Sequence, residues 1–201
     1  MSGYIFRRLV LFCLLSGLAA RSHAQVLRSL IPDAGIVQYA GSIGYFSAGI
    51  SYDLFKNQRG NVDLLYGYVP ENKGGALDII TLKFAYKPWE LKIGDNVKIY
   101  PANPGVFLTY TFHPDLSYAF DTDQYPKNYY YWSEAIRPHL SVSNEIEINT
   151  RKLLPGMKIK AISIYSEFNT NDYYVVNYFQ NMSALNIADI FQLGIGLKVK
   201  F

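Results

Sequence analysis

Within the last twelve residues, Ile190 to Phe201, the side chains alternate strictly between two kinds from Phe191 onward. Every odd-numbered position from 191 to 201 is apolar, and the even-numbered positions are Gln192, Gly194, Gly196, Lys198 and Lys200. Successive side chains of a β-strand point to opposite faces, so this stretch has one wholly apolar face and one small or charged face. The period predicts a membrane strand with its apolar face towards lipid and its polar face towards a barrel interior.

The same two-residue period recurs along the chain, with polar turns rich in glycine and proline between the segments. We expect strands at 36–42, 46–54, 61–69, 78–87, 106–112, 135–148, 158–168 and 190–201. They predict an all-β fold: a single antiparallel up-and-down transmembrane β-barrel of eight strands, with ten as the alternative count. Prolines 101 and 104 are expected to interrupt the extension at 97–100, and residues 90–96 to form a turn. For residues 169–188 we expect an elaborated loop, with a strand or helical turn through 173–179.

The N-terminus predicts a cleaved signal peptide. Arg7 and Arg8 precede an apolar stretch over 9–20, and Ser22-His23-Ala24 is typical of a cleavage site. The expected organisation is a signal peptide at 1–24, a lead-in segment at 25–34 and the barrel at 35–201. Removing the signal peptide leaves sixteen basic and sixteen acidic residues and no cysteine. A neutral chain gives no reason to expect a nucleic-acid partner, and one without cysteine excludes disulfides and thiolate sites.

A soluble β-sandwich would also alternate, with its apolar side chains towards the core. Three features favour a membrane: the signal peptide, the aromatic cluster at 129–132, and an apolar strand that continues to the last residue. In a bacterial outer membrane, the turns at 56–60, 90–96 and 149–157 would be periplasmic. The longer loops at 113–128 and 169–188 would then be external.

An apolar last strand ending in Phe201 resembles the C-terminal signature of bacterial outer-membrane β-barrel proteins. The stretches Gln38–Gly44 and Leu65–Pro70 are similar to small barrels of the Bacteroidetes type. The resemblance implies a bacterial outer-membrane location and contact with outer-membrane lipid. It also implies that barrel-assembly machinery recognises the strand that ends at Phe201.

His139 and Ser141, with Glu145 as the acid, are the candidate catalytic residues. A His-x-Ser pair with a nearby carboxylate resembles outer-membrane lipid A deacylases, in which histidine would act as base and serine as nucleophile. Glu147 is the alternative acid. The period of this strand, however, directs both His139 and Ser141 into the barrel, whereas a lipid acyl chain approaches from outside.

The preferred interpretation is therefore a salt-bridged plug inside the barrel, since unpaired buried charge is expensive. Its expected members are Asp53, Lys83, Arg137, His139, Ser141, Glu145, Glu147, Lys198 and Lys200. The two terminal lysines are expected to act as counter-ions to acids such as Asp53 and Glu145.

No cofactor or metal site is expected. His113, Asp115, Asp121 and Asp123 lack the dense oxygen-ligand spacing of a calcium loop. The leading function is a non-enzymatic outer-membrane barrel acting in membrane integrity, adhesion or recognition through its external loops. The alternatives are a lipid A deacylase-like enzyme and a narrow transport barrel for a small apolar solute.

Overall fold

The computed structural model of this protein describes residues 30–118, 133–151 and 156–201. Within them, Asp33–Phe201 forms one compact unit. The predicted signal peptide at 1–24 and the aromatic cluster at 129–132 lie outside the described residues.

Nine strands are present in the described part of the chain. Their bounds are β1 Ala34–Ala40, β2 Phe46–Leu54, β3 Gly60–Val69, β4 Leu77–Tyr86, β5 Leu91–Ile93, β6 Val97–Phe112, β7 Ile136–Asn149, β8 Ala161–Asn171 and β9 Gln192–Lys200. All but β5 close into an antiparallel up-and-down barrel: each strand pairs with the next along the chain, β4 pairs with β6, and β9 pairs with β1. The prediction of an eight-stranded barrel is confirmed.

The barrel wall has its polar face inside and its apolar face outside. Neighbouring positions on β3 show the contrast, because Asp63 is 0% exposed and Leu64 is 46% exposed. The register places Leu64 opposite Leu82 and Asp63 opposite Lys83, so the alternation continues from strand to strand. Among the described residues, buried polar and charged side chains outnumber buried hydrophobic ones, which reverses the usual distribution of a water-soluble domain.

The glycines of the terminal strand make room for two large inward-pointing side chains. A Cβ on Gly196 would lie 2.3 Å from the Tyr165 ring, and one on Gly194 would lie 2.4 Å from the Gln38 amide nitrogen. The Tyr165 hydroxyl donates to Gln38 Oε1 at 2.8 Å. The inward face of β9 therefore carries glycines because the interior volume is limited: an eight-stranded barrel has an interior just wide enough for its side chains.

Strand β6 differs from its prediction, because it continues from Val97 to Phe112 through both prolines. Its register with β7 shifts between Tyr100 and Asn103, which places Pro101 in a β-bulge. Pairing between β4 and β6 begins only at Gly105, so Pro104 lies where β6 pairs with β7 alone. Proline is tolerated at bulges and at strand positions where no neighbouring strand offers an acceptor for a backbone N–H.

Of two further elements, the sequence period missed the first and left the second open between a strand and a helical turn. The predicted turn at 90–96 contains β5, which pairs with the first residues of β6 outside the closed barrel. The predicted loop at 169–188 contains helix α1, Asp172–Gln180, which begins where the Asn171 side chain accepts a hydrogen bond from the Tyr174 N–H at 2.8 Å. Short 3₁₀ helices occupy Glu71–Lys73 and Ile187–Ile190. None of the helices in the described ranges is long and apolar enough to cross a membrane.

Candidate functional site

The barrel interior contains a network of ion pairs contributed by six of the eight barrel strands, β2, β3, β4, β7, β8 and β9. The pairs are Lys83–Glu167 at 2.8 Å, Lys87–Glu145 at 2.6 Å, Lys198–Asp63 at 3.1 Å, Lys200–Asp53 at 3.2 Å and Lys200–Glu147 at 3.1 Å. Each ion pair joins residues from different parts of the wall, because inward side chains of a narrow barrel meet at its axis. The network therefore ties the wall together across the interior.

Asp63 is the most completely satisfied member of this network. Its carboxylate accepts hydrogen bonds from Ser51 Oγ at 2.5 Å, from Asn61 Nδ2 at 2.8 Å and from Lys198 Nζ at 3.1 Å. The Lys198 ammonium also lies 5.6 Å from the centre of the Tyr165 ring. A buried carboxylate with this many donors is compensated for the hydration that it has lost.

All nine residues predicted for the polar plug lie on the inward face of their strands. The expected pairing of Lys200 with Asp53 forms, but Glu145 pairs directly with Lys87 rather than with a terminal lysine. Arg137 lies at the loop end, where it binds Asp172 at 3.2 Å.

Sequence reasoning missed three members of the network: Asp63, Lys87 and Glu167. Asp63 and Glu167 occupy inward positions of β3 and β8, and Lys87 directly follows β4. Asp63 could have been found from the alternation of β3, whereas the facing of β8 was ambiguous in the sequence.

These side chains leave almost no open space at the centre of the barrel. The cavity between Asp63, Lys87, Glu145 and Glu167 has a volume of about 10 Å³. A cavity of this size holds at most one water molecule. At this level the described part of the interior is therefore filled by side chains.

The candidate catalytic residues do not form a catalytic arrangement. The His139 ring stacks on Phe107, with 4.2 Å between ring centres and 9° between planes, and its Nε2 lies 3.1 Å from Thr109 Oγ1. Within the described ranges no hydrogen bond joins His139 to Ser141 or to a carboxylate, and Glu145 is engaged by Lys87. A triad needs its base within hydrogen-bond reach of both nucleophile and acid, so the geometry supports a packing role for His139.

Lipid A chemistry provides a direct test of this interpretation. We expect lipid A from cells producing the protein to have the same acyl pattern as lipid A from cells without it, measured by mass spectrometry. His139→Ala and Ser141→Ala should likewise leave the pattern unchanged. A fatty acid lost from lipid A in the presence of the wild-type chain, and retained with either variant, would contradict the packing role.

A groove of about 590 Å³ is lined mainly by outward residues of the barrel wall and is bordered by helix α1. Outward residues of β4, β6 and β7 form its sides, and Val175 of α1 borders it: Leu82, Phe84, Val106, Leu108, Pro138 and Leu140 are among them. Lys83, Phe107 and His139 also border it, but their side chains are buried on the inner face and make their contacts there. The groove presents an almost entirely apolar surface, continuous with the outer wall.

The turn end of the barrel holds a second, polar cavity of about 310 Å³. Its lining mixes acids with bases: Asp33, Asp53, Asp95 and Glu147 with Lys98, Arg151, Lys160 and Lys200. Lys160 Nζ donates to the Phe201 carbonyl at 3.0 Å, which holds the end of β9 against the neighbouring turn. The mixture of charges favours no one class of ligand.

The candidate calcium loop falls partly outside the described residues, since Asp121 and Asp123 are not among them. His113 Nδ1 and Asp115 Oδ2 are 3.6 Å apart at the loop end. Across the ranges that the structure describes, no group of three or more histidine, cysteine, aspartate or glutamate side chains could hold a metal ion.

The outer wall is apolar in its middle and aromatic towards both ends. Exposed leucine, isoleucine and valine side chains occupy the middle of the strands: Leu64, Ile80, Leu82, Val106, Leu108, Val142, Ile164 and Ile195. Exposed aromatic side chains lie nearer the loop end (Tyr39, Phe46, Tyr66, Tyr68, Phe112) and nearer the turn end (Phe55, Tyr86, Trp89, Phe201).

Comparisons of the chain with known protein families, with characterised proteins and with solved structures found no match.

Proposed function

We propose that this protein is a non-enzymatic outer-membrane β-barrel that acts through the loops at one end, in membrane integrity, adhesion or recognition. The observation that carries the proposal is the outer wall: an apolar band with aromatic residues towards both rims, around an interior filled by ion pairs. Membrane barrels have such a band, flanked by aromatic girdles at the two interfaces. In water, an apolar surface of this extent would promote aggregation.

The two ends of the barrel differ in a way that supports an orientation. Both chain ends of the barrel unit lie at the turn end, with the connections after β2, β4 and β7. The opposite end carries the longer connections after β6 and β8, the second of which includes α1. Short periplasmic turns and longer external loops are usual in outer-membrane barrels. On this orientation the outer wall contacts outer-membrane lipid, and the external loops carry the contacts with other molecules.

The terminal strand supports a role in assembly. Strand β9 pairs with both β8 and β1, so the barrel closes only when β9 is in place. Its outward residues are all apolar, which suits a segment that barrel-assembly machinery would recognise at the membrane. The lipid and assembly partners, like the bacterial outer-membrane location, are part of this proposal.

Heat-modifiable migration on gels tests the barrel in a membrane. Closed barrels resist detergent when unheated, so we expect unheated protein from the outer-membrane fraction to migrate faster than boiled protein. Recovery of the protein in the soluble periplasmic fraction, with a single band under both conditions, would contradict the proposal.

Conductance separates this proposal from a narrow transport barrel. Because the described centre of the barrel holds a cavity of only about 10 Å³, we expect reconstituted protein to show no steady conductance in planar lipid bilayers. A known porin reconstituted in the same bilayers provides the positive control. Reproducible single-channel steps from the wild-type chain would show that the plug opens and would favour transport.

A further inference from the structure

Four polar residues interrupt the apolar outer wall. Among the described outward positions of the eight barrel strands, the polar residues are Asp78, Asn144, Ser166 and Thr170. All remaining outward residues are apolar, aromatic or glycine. Asp78 and Thr170 lie within two residues of a loop-end strand terminus, and Asp78 accepts a hydrogen bond from the Tyr66 hydroxyl. Asn144 and Ser166 are the two that lie in the middle of the wall.

Asn144 and Ser166 form a pair on adjacent strands. They are directly opposite each other in the β7–β8 register, and Ser166 Oγ donates to Asn144 Oδ1 at 3.1 Å. Ser166 is the middle residue of the eleven in β8, so in a membrane the pair lies near the centre of the bilayer. Polar side chains in that region are rare and costly unless a protein partner satisfies them.

The Asn144 amide nitrogen is the group that needs such a partner. Within the described ranges its oxygen accepts from Ser166, but its NH₂ group donates to no atom of the chain. An amide carries two N–H donors, and lipid tails contain no acceptor for them. Loss of hydration without a compensating hydrogen bond is destabilising, so an isolated monomer would gain from replacing this residue by leucine.

The wall around Asn144 allows another protein to approach closely. On one side lies Ser166, and on the other lies the bulge in β6, whose residues Pro101 and Ala102 have no register partner on β7. Between transmembrane helices, small residues beside a polar one permit main chains to approach while the polar group forms a hydrogen bond, and we infer the same use of this arrangement on a barrel wall. The surface defined by Pro101, Ala102, Val142, Asn144, Ile146 and Ser166 is here termed the Asn144 surface.

We propose that the Asn144 surface is the contact between two copies of this chain in the membrane. An amide has both donor and acceptor, so two Asn144 side chains related by a two-fold axis are complementary to each other. Two copies inserted in the same direction are related by an axis along the membrane normal, which brings the two amides together at the same depth. The surface carries no charge that would select a different, charged partner. The inference rests on the proposed membrane location.

Cysteine cross-linking at the neighbouring outward position tests the dimer while retaining Asn144. The sequence contains a single cysteine, Cys13, inside the predicted signal peptide, so an introduced cysteine is the reactive thiol of the barrel. With a short bis-maleimide reagent on outer-membrane fractions, we expect Val142→Cys to give a covalent dimer. The matched control is Ile50→Cys, the middle of β2, which lies four strands away around the barrel and should remain monomeric.

The role of the amide is tested by Asn144→Leu. Sedimentation equilibrium in detergent micelles should show a dimer association constant roughly 3- to 30-fold lower for this variant than for the wild-type chain. Adding Asn144→Leu to Val142→Cys should reduce the covalent dimer in the same direction. Because leucine suits a lipid-facing wall, the variant should still show heat-modifiable migration.

Three outcomes would overturn the inference. They are equal cross-linking of Val142→Cys and Ile50→Cys, an adduct of Val142→Cys with a different protein, and equal association constants for the wild-type chain and Asn144→Leu. Folded, heat-modifiable protein with any of these results removes the dimer and leaves the membrane barrel standing. Protein that shows no heat-modifiable band removes the membrane barrel and the dimer together.

Discussion

Lys83→Met is expected to destabilise the barrel by about 3–5 kcal/mol, because it leaves the Glu167 carboxylate buried without its counter-ion. Both side chains of this ion pair are nearly inaccessible, and Lys83 Nζ lies 2.8 Å from Glu167 Oε2. Adding Glu167→Gln removes the uncompensated charge and should recover most of the loss. The free energy of unfolding is measured by denaturant titration of the protein reconstituted in lipid vesicles, with tryptophan fluorescence as the signal.

The control for this prediction is the same substitution in an exposed ion pair. Lys92 and Glu90 are 3.5 Å apart, and the Lys92 side chain is 69% exposed. Exposed ion pairs contribute little, so Lys92→Met should change the free energy of unfolding by no more than about 0.5 kcal/mol. If Lys83→Met were as mild as Lys92→Met, the interior network would not be holding the wall together.

On the proposed membrane location, Leu64→Arg is expected to cost about 2–4 kcal/mol in lipid vesicles, because it would place a charge on the outer wall near the bilayer midplane. Leu64 lies in the middle of β3 and is 46% exposed. In a water-soluble protein, the same change at a half-exposed leucine would be close to neutral. The free energy of unfolding in vesicles is therefore the decisive measurement, and it separates a membrane wall from a solvated one.

Tyr68→Arg is the matched control, since Tyr68 is also 46% exposed and faces the same way near the loop end of the same strand. The cost of a charge on the wall falls to about 0–1 kcal/mol near the membrane interface. The expected signature is thus a dependence on depth along β3. Equal costs at Leu64 and Tyr68 would argue against the proposed position of the membrane.

The barrel could be predicted from the sequence because alternation is a strong signal wherever the two faces of a strand differ completely. Strand β2 was predicted with its observed bounds, Phe46–Leu54, since its outward positions are all apolar and its inward ones small or acidic. Most other strands were displaced by one to three residues. The largest error was in β6, where proline is an ambiguous signal: it ends an ordinary central strand but is accommodated at a bulge.

The interior network was harder to predict than the wall, because it depends on which inward residues meet across the barrel axis. The sequence places Lys83 and Glu145 on inward faces, but their partners, Glu167 and Lys87, lie far away along the chain. Pairing across the axis follows from register and strand tilt, neither of which a single strand encodes.

Asn144 differs from the interior residues, because the sequence alone shows a polar residue among the apolar outward positions of its strand. The significance of Asn144 becomes clear only from the structure, which places Ser166 beside it.

The pairing of β9 with β1 has a consequence for the lifetime of the folded protein. Seven residue pairs join these two strands, from Ala34–Lys200 to Ala40–Gly194, and they close the ring. An open sheet can lose an outer strand and proceed stepwise, whereas a ring must break two adjacent interfaces before any strand is released. The barrel is therefore expected to persist for long periods in denaturant above its equilibrium midpoint, where the unfolded state is favoured, because its unfolding rate is slow.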